Sequence, residues 1–247
     1  MRNSTIAATL TLILAALTAS VRGAVVLSPP PSQSYFSSYA YDGSGVSSNP
    51  VFVPAVPFTS STAISRSGST ANTTASLTAA GFSAIFDQTR SGAQFGEAAS
   101  VMDVMFSVTG SSTFSVTGNY SVQDINGVHG RAVFDVRLFD ATVLTNELTL
   151  FQFDNESRVT ANPSFTVGHA TGDYAQGTTA VGAQTGALLP GHRYDFNIQV
   201  WTDSPLAADQ GGRGIGGATL DVTPVPEPTG AIALLPAAFG ILRRRRT

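Results

Sequence analysis

Met102-Asp103-Val104-Met105-Phe106-Ser107-Val108-Thr109 sends Met102, Val104, Phe106 and Val108 to one side and Asp103, Ser107 and Thr109 to the other. An extended backbone points successive side chains to opposite faces, so this period of two marks a strand with one apolar and one polar face. Three further segments repeat it. In residues 114–123, Phe114, Val116, Tyr120 and Val122 alternate with Ser115, Thr117, Asn119, Ser121 and Gln123. In residues 131–140, Ala132, Phe134, Val136 and Leu138 oppose Arg131, Asp135 and Arg137. In residues 193–202, Tyr194, Phe196, Ile198 and Val200 oppose Arg193, Asp195, Asn197 and Gln199.

Weaker strand signals cover residues 35–41, 82–87, 142–153, 178–188 and 218–223, and no segment sustains a helical stripe. One apolar face per strand predicts antiparallel sheets packed face to face, an all-β two-sheet sandwich. Thr109-Gly110-Ser111-Ser112, Asn126-Gly127 and Asp140-Ala141 read as tight turns, which makes residues 100–153 a four-strand meander. Residues 24–72, rich in Ser, Thr and Pro, read as a lead-in of edge strands and loops or as a partly ordered segment. The sandwich body is then expected over residues 73–224, with glycine-rich residues 204–217 as a loop between its last two strands. Gly212-Arg213-Gly214-Ile215-Gly216-Gly217 contains Gly-x-Gly-x-x-Gly but lacks the strand before and helix after that a dinucleotide site requires.

Leu188-x-Pro190-Gly191-x-x-Tyr194, leading into alternating apolar residues, resembles the tyrosine corner of fibronectin-type and related sandwiches, and the body as a whole resembles a fibronectin- or jelly-roll-like sandwich. The resemblance implies that the Tyr194 hydroxyl bonds upstream backbone and pins a corner between sheets, a structural role.

The two ends differ from the body. Met1-Arg2-Asn3, an apolar stretch over residues 6–21 and Val21-Arg22-Gly23 make residues 1–23 a secretory signal peptide, cleaved after Gly23 or Ala24. At the other end, Val225-Pro226-Glu227-Pro228 precedes an apolar run over residues 229–242 and then Arg243-Arg244-Arg245-Arg246. As a short hydrophobic helix this run spans about 21 Å of a roughly 30 Å hydrocarbon core, a marginal anchor that Pro236 would bend. The arginines favour the cytoplasmic side and leave the Pro-Glu-Pro strip exposed on the other. Residues 225–247 resemble the PEP-CTERM sorting signal of bacterial envelope and exopolysaccharide-associated proteins. That resemblance implies export, transient membrane insertion, processing by an exosortase-type membrane transpeptidase near Val225, Pro226, Glu227 and Pro228, and delivery to the envelope or extracellular polysaccharide.

Composition narrows the function further. The chain has no cysteine, which removes disulfides, thiolate metal sites and thiol catalysis. With the charges of both ends set aside, the body carries about −8, which repels nucleic acid. No catalytic residue is assigned: Gly-x-Ser-x-Gly is missing, and His129, His169 and His192 read as solvated loop histidines. No cofactor is expected, although Asp140, Asp154, Asn155 and Glu156 could gather at one end of the sandwich and hold calcium, the plainer reading being solvated turn carboxylates. Trp201, the only tryptophan, falls on the polar side of its strand, as a rim packing residue or a sugar-stacking platform. The reading is a non-enzymatic, structural or adhesive surface protein. A carbohydrate-binding module is the alternative, ahead of a sandwich-type hydrolase and an ice-binding protein; the body has no Thr-x-Thr ladder for ice.

Overall fold

Each alternating segment becomes a strand whose apolar side chains meet those of a second sheet. The computed structural model describes residues 24–226 apart from 29–32, 43, 92–96, 125–130, 144–146, 158–163, 167–168, 172–175 and 204–210. The described residues form strands β1 (Val25–Leu27), β2 (Tyr35–Tyr41), β3 (Val46–Phe52), β4 (Phe58–Arg66), β5 (Ser69–Thr78), β6 (Gly81–Ser91), β7 (Glu97–Val108) and β8 (Ser112–Asp124). They continue with β9 (Arg131–Asp140), β10 (Leu148–Ser157), β11 (Ser164–Thr166), β12 (His169–Thr171), β13 (Gln176–Gly182), β14 (Thr185–Leu188), β15 (Tyr194–Asp203) and β16 (Gly211–Pro224). Sheet 1 runs β13-β10-β9-β15-β7-β2-β3, with β1 also on β7; sheet 2 runs β12-β11-β8-β16-β6-β5-β4, with β14 also on β8. All the pairings are antiparallel, and the two sheets pack as a sandwich.

Aromatic rings bridge the sheets. Phe82 of β6 meets Phe106 of β7 edge-on at 5.1 Å, and Tyr120 of β8 stacks on Phe134 of β9 at 5.0 Å and 11°. Phe36, Met102, Val104, Phe196, Ile198 and Leu220 fill the space between. Along β7 the inward series Val108, Phe106, Val104, Met102, Ser100, Ala98 shrinks and turns polar towards one end. There hydrogen bonds join the layers: Ser38 to Thr73 at 3.0 Å, and Gln88 Nε2 donating to the Val200 carbonyl at 2.7 Å.

Several expectations change. Residues 100–153 are not a meander: β7 and β8 belong to different sheets, as do β8 and β9, and only β9–β10 is a hairpin. The Thr109–Ser112 link therefore crosses the core instead of reversing within a sheet. Residues 178–188 divide between β13 in sheet 1 and β14 in sheet 2, breaking at Gly182, whose φ of 77° favours glycine. Within residues 24–72 the described strands β1, β2 and β3 join sheet 1, and β4 with the start of β5 joins sheet 2. Their Ser/Thr/Pro composition suits β3 and β4, which are edge strands; Pro50 sits in β3, where an edge tolerates a missing donor. Gly211–Gly217 is strand, not loop. The expected signal peptide, the C-terminal helix, Glu227, Pro228 and Arg243, Arg244, Arg245 and Arg246 lie outside the described residues, as do Asn126-Gly127 and His129.

Candidate functional site

Tyr194 opens β15, and its hydroxyl accepts a hydrogen bond from Leu189 N at 2.7 Å and donates to Leu189 O at 3.4 Å. The ring is buried against Phe106 at 5.4 Å. Tyr194→Phe keeps the ring and loses the corner bonds; a loss of about 1 kcal/mol, read as a midpoint 2–4 °C lower in a thermal melt, is expected.

His192, still 38% exposed, and Asp140, at the end of β9, are held together. His192 Nδ1 lies 2.6 Å from Asp140 Oδ2, and its ring stacks on Tyr194 at 6.1 Å. Asp140 also accepts from Thr142 N at 3.0 Å, and Thr142 Oγ1 accepts from Arg193 N at 2.9 Å. Partial burial would raise the Asp140 carboxyl, but the bonds from Thr142 and His192 hold it below its ordinary value. This cluster fastens the β9–β10 turn to the corner. Of the carboxylates considered for calcium, Asp140 pairs with Leu148 at one end of β9, whereas Asp154 pairs with Asp135, five residues away and roughly 17 Å along the strand. Among the described residues no group of three or more acidic or histidine side chains is placed to hold a metal ion.

The outer face of sheet 1 carries the residues that strand parity alone does not assemble. Register places Tyr35, Asp103, Asn197 and Arg137 in one cross-strand row, and Ser37, Val101, Gln199 and Asp135 in the next. Asp103 and Asp195, on neighbouring strands, share a hydrogen bond, and Asn197 Nδ2 donates to Asp103 at 3.3 Å. Burial, then the negative charges of Asp103 and Glu147, push the Asp195 carboxyl up to about 8, against the pull of Arg193. Burial raises Asp103 as well. A carboxylate pair in hydrogen-bond contact shares a proton; flanking a glycosidic bond takes a separation of roughly 5–9.5 Å. Asp135 is sealed from solvent at 1% exposure and pairs with Arg137, whose Nε donates at 2.9 Å.

A third row holds Tyr39, Ala99 and Trp201. Around it lies a cavity of about 490 Å³ walled by Tyr39, Tyr41 and Val46 on one side and by Gln199 and Trp201 on the other. Trp201 thus stands on the outer face, as its parity requires. Tyr39 and Tyr41 were visible as alternate residues of one strand, but their partnership with Trp201 depends on β7 lying between β2 and β15.

At the chain ends, Ala24 N donates to Thr109 Oγ1 at 2.9 Å, and Val225 N donates to Ser111 O at 2.9 Å. Both ends of the sandwich therefore meet at the β7–β8 link, and Val225 and Pro226 stand exposed beyond it. These features define a two-sheet antiparallel β-sandwich with a proton-sharing carboxylate pair and an aromatic trough on one outer face. Compared with protein-family models, curated proteins and solved structures, the chain matches none.

Proposed function

We propose that this is an exported protein of the cell surface or extracellular matrix, sorted and processed through Val225, Pro226, Glu227 and Pro228, with a non-enzymatic structural or adhesive body. The observation that carries the reading is where the tail departs. Among the described residues the last backbone bond from this segment to the sandwich is Val225 N to Ser111 O, and the Pro-Glu-Pro strip starts at the next residue. A membrane transpeptidase can cut there without unpairing a strand. Ala24, next to the expected leader cleavage, bonds to the same link, so removing both ends leaves both sheets intact. The direct contact of Asp103 with Asp195 favours a structural role for that pair over glycoside cleavage. The partners are an exosortase-type enzyme and then the envelope or extracellular polysaccharide.

Deleting residues 226–247 is expected to move the protein from the envelope or matrix fraction to the soluble fraction. The intact mass of wild-type protein recovered from cells is expected to begin at Ala24 or Val25 and to end within residues 225–228 or just beyond. Unchanged envelope retention on deletion, or recovery of the unprocessed chain from cytosol, overturns the reading.

A further inference from the structure

The Tyr39–Ala99–Trp201 row has a particular shape. Ala99 lies on β7, and the two aromatic side chains rise from the strands on either side of it. Those flanking strands are two spacings apart, about 9.6 Å between backbones, with a methyl group as the floor. Tyr39 and Trp201 thus line one cavity from the two sides of Ala99. Val101, the next outward residue of β7, continues the floor, and Gln199 supplies an amide beside it. Among the described lining residues the one formal charge is the carboxylate of Glu97.

We propose that this trough binds a chain of neutral pyranose sugars, with Tyr39 and Trp201 as stacking walls and the Gln199 amide as a partner for ring hydroxyls. A pyranose has two C–H-rich faces and a polar rim, which matches aromatic walls over a hydrogen-bonding floor. A neutral sugar is favoured over an acidic one, since the body as a whole is acidic. A peptide strand is disfavoured for a separate reason. The floor belongs to β7, already paired on both sides, so the floor itself offers no edge for strand addition.

The walls are held before any ligand arrives. Asp42, in the β2–β3 turn, accepts from Ser44 N at 3.0 Å and ion-pairs with Arg66 of β4 at 2.9 Å. Hydrogen bonds from Ser44 and then Arg66 hold its carboxyl well below the usual range. That contact ties the hairpin carrying Tyr41 and Val46 to the opposite sheet, so less ordering remains to oppose binding. Position supports the same use. Ala99 is nine residues from Val108, beside which both ends of the sandwich emerge, so the trough opens roughly 30 Å from the attachment end. A body tethered by its tail would present the trough outward. The inference rests on the proposed surface location only for where the sugar is met; binding itself does not depend on sorting.

Trp201 is the only tryptophan in the sequence, so intrinsic fluorescence reports on the trough alone. The protein recovered from cells is titrated with cellohexaose, maltohexaose and laminarihexaose, and in parallel with an alginate oligomer and a decaproline peptide. At least one neutral hexasaccharide is expected to shift the emission to the blue and saturate. Tyr39→Ala is expected to weaken that binding at least tenfold, and Trp201→Ala to abolish the matching retardation in polysaccharide-containing native gels. Trp201→Phe, which keeps a stacking wall, is expected to retain most of the retardation. Thermal melts separate lost binding from lost folding. No response to any of the three neutral sugars, undiminished binding in both alanine variants, or tighter binding of alginate or decaproline overturns the proposal. A failure of the fractionation experiment leaves this titration unaffected, and the reverse also holds.

Discussion

Raising the pH from 5 to 8 is expected to lower the thermal midpoint by about 5–10 °C, and Asp195→Asn is expected to remove most of that slope. The cause is the proton shared by Asp103 and Asp195. Burial raises both carboxyls, with Glu147 adding to each and the charge of Asp103 pushing Asp195 further, to about 8. An unfolded aspartate titrates at about 3.9. Between those values the folded protein keeps a proton that the unfolded chain has lost. The resulting stabilisation is complete below about pH 4 and vanishes as the pH climbs through about 8. A four-unit shift corresponds to about 5 kcal/mol at most. The pair retains some contact with solvent, and Arg193 beside it and the Asn197 amide offset part of the repulsion, so a few kcal/mol is the expected scale. Asp42 and Asp140 act in the opposite sense: their carboxyls are depressed, so their contribution is present above about pH 4 and is lost only in acid. Asp135, raised by burial against the pull of Arg137, adds a slope of the same sign as the pair and persists in the variant. The discriminating comparison is therefore wild type against Asp195→Asn, melted at half-unit steps from pH 4.5 to 9. A flat wild-type profile, or an equally steep one in the variant, would remove the shared proton from the account.

How far the sequence discloses this architecture follows from what alternation encodes. Period two states which side of a strand faces inward, and it does so for β7, β8, β9 and β15, whose described inward residues are buried as read. It does not state which strand lies alongside. Thr109-Gly110-Ser111-Ser112 would serve equally as a hairpin or as a passage between sheets; the passage is taken because β16 pairs with β8 while β15 pairs with β7. The trough and the carboxylate pair are products of that neighbour choice, so neither is visible in any one strand. Tyr194 is the exception, because its bond partner, Leu189, is five residues upstream and the corner is local. Edge strands hide for another reason. β3 and β4 are exposed along much of their length, so nothing selects apolar residues at alternate positions and their composition is that of a loop.

Glycine concealed β16 most effectively, and the same residues set a large single-site effect. Gly214 and Gly216 face inward and lie under Tyr120. A Cβ on Gly216 would come within 2.5 Å of Asn119 O and 2.9 Å of Tyr120 Cα and Cδ2, and one on Gly214 within 3.0 Å of the Tyr120 hydroxyl. Glycine ordinarily weakens a strand. Here it makes room for a buried ring whose stacking on Phe134 joins the two sheets. Gly216→Val must either part β16 from β8 or eject Tyr120, since two of its three nearest contacts are main-chain atoms. Overpacking costs about 1–3 kcal/mol, and loss of the ring pair about 0.5–1.5 kcal/mol more. The expected total of about 1.5–4.5 kcal/mol would lower the melting midpoint by about 3–18 °C. Thr223→Ser, exposed on the same strand, is expected to stay within about 0.5 kcal/mol. The double variant Gly216→Val with Tyr120→Ala separates the two causes. Because alanine leaves space where the ring stood, the valine should cost less in that background than in the wild type. An equal cost in both would place the clash wholly in the β16–β8 backbone contact, and a Gly216→Val protein as stable as wild type would show that β16 does not pass beneath the ring.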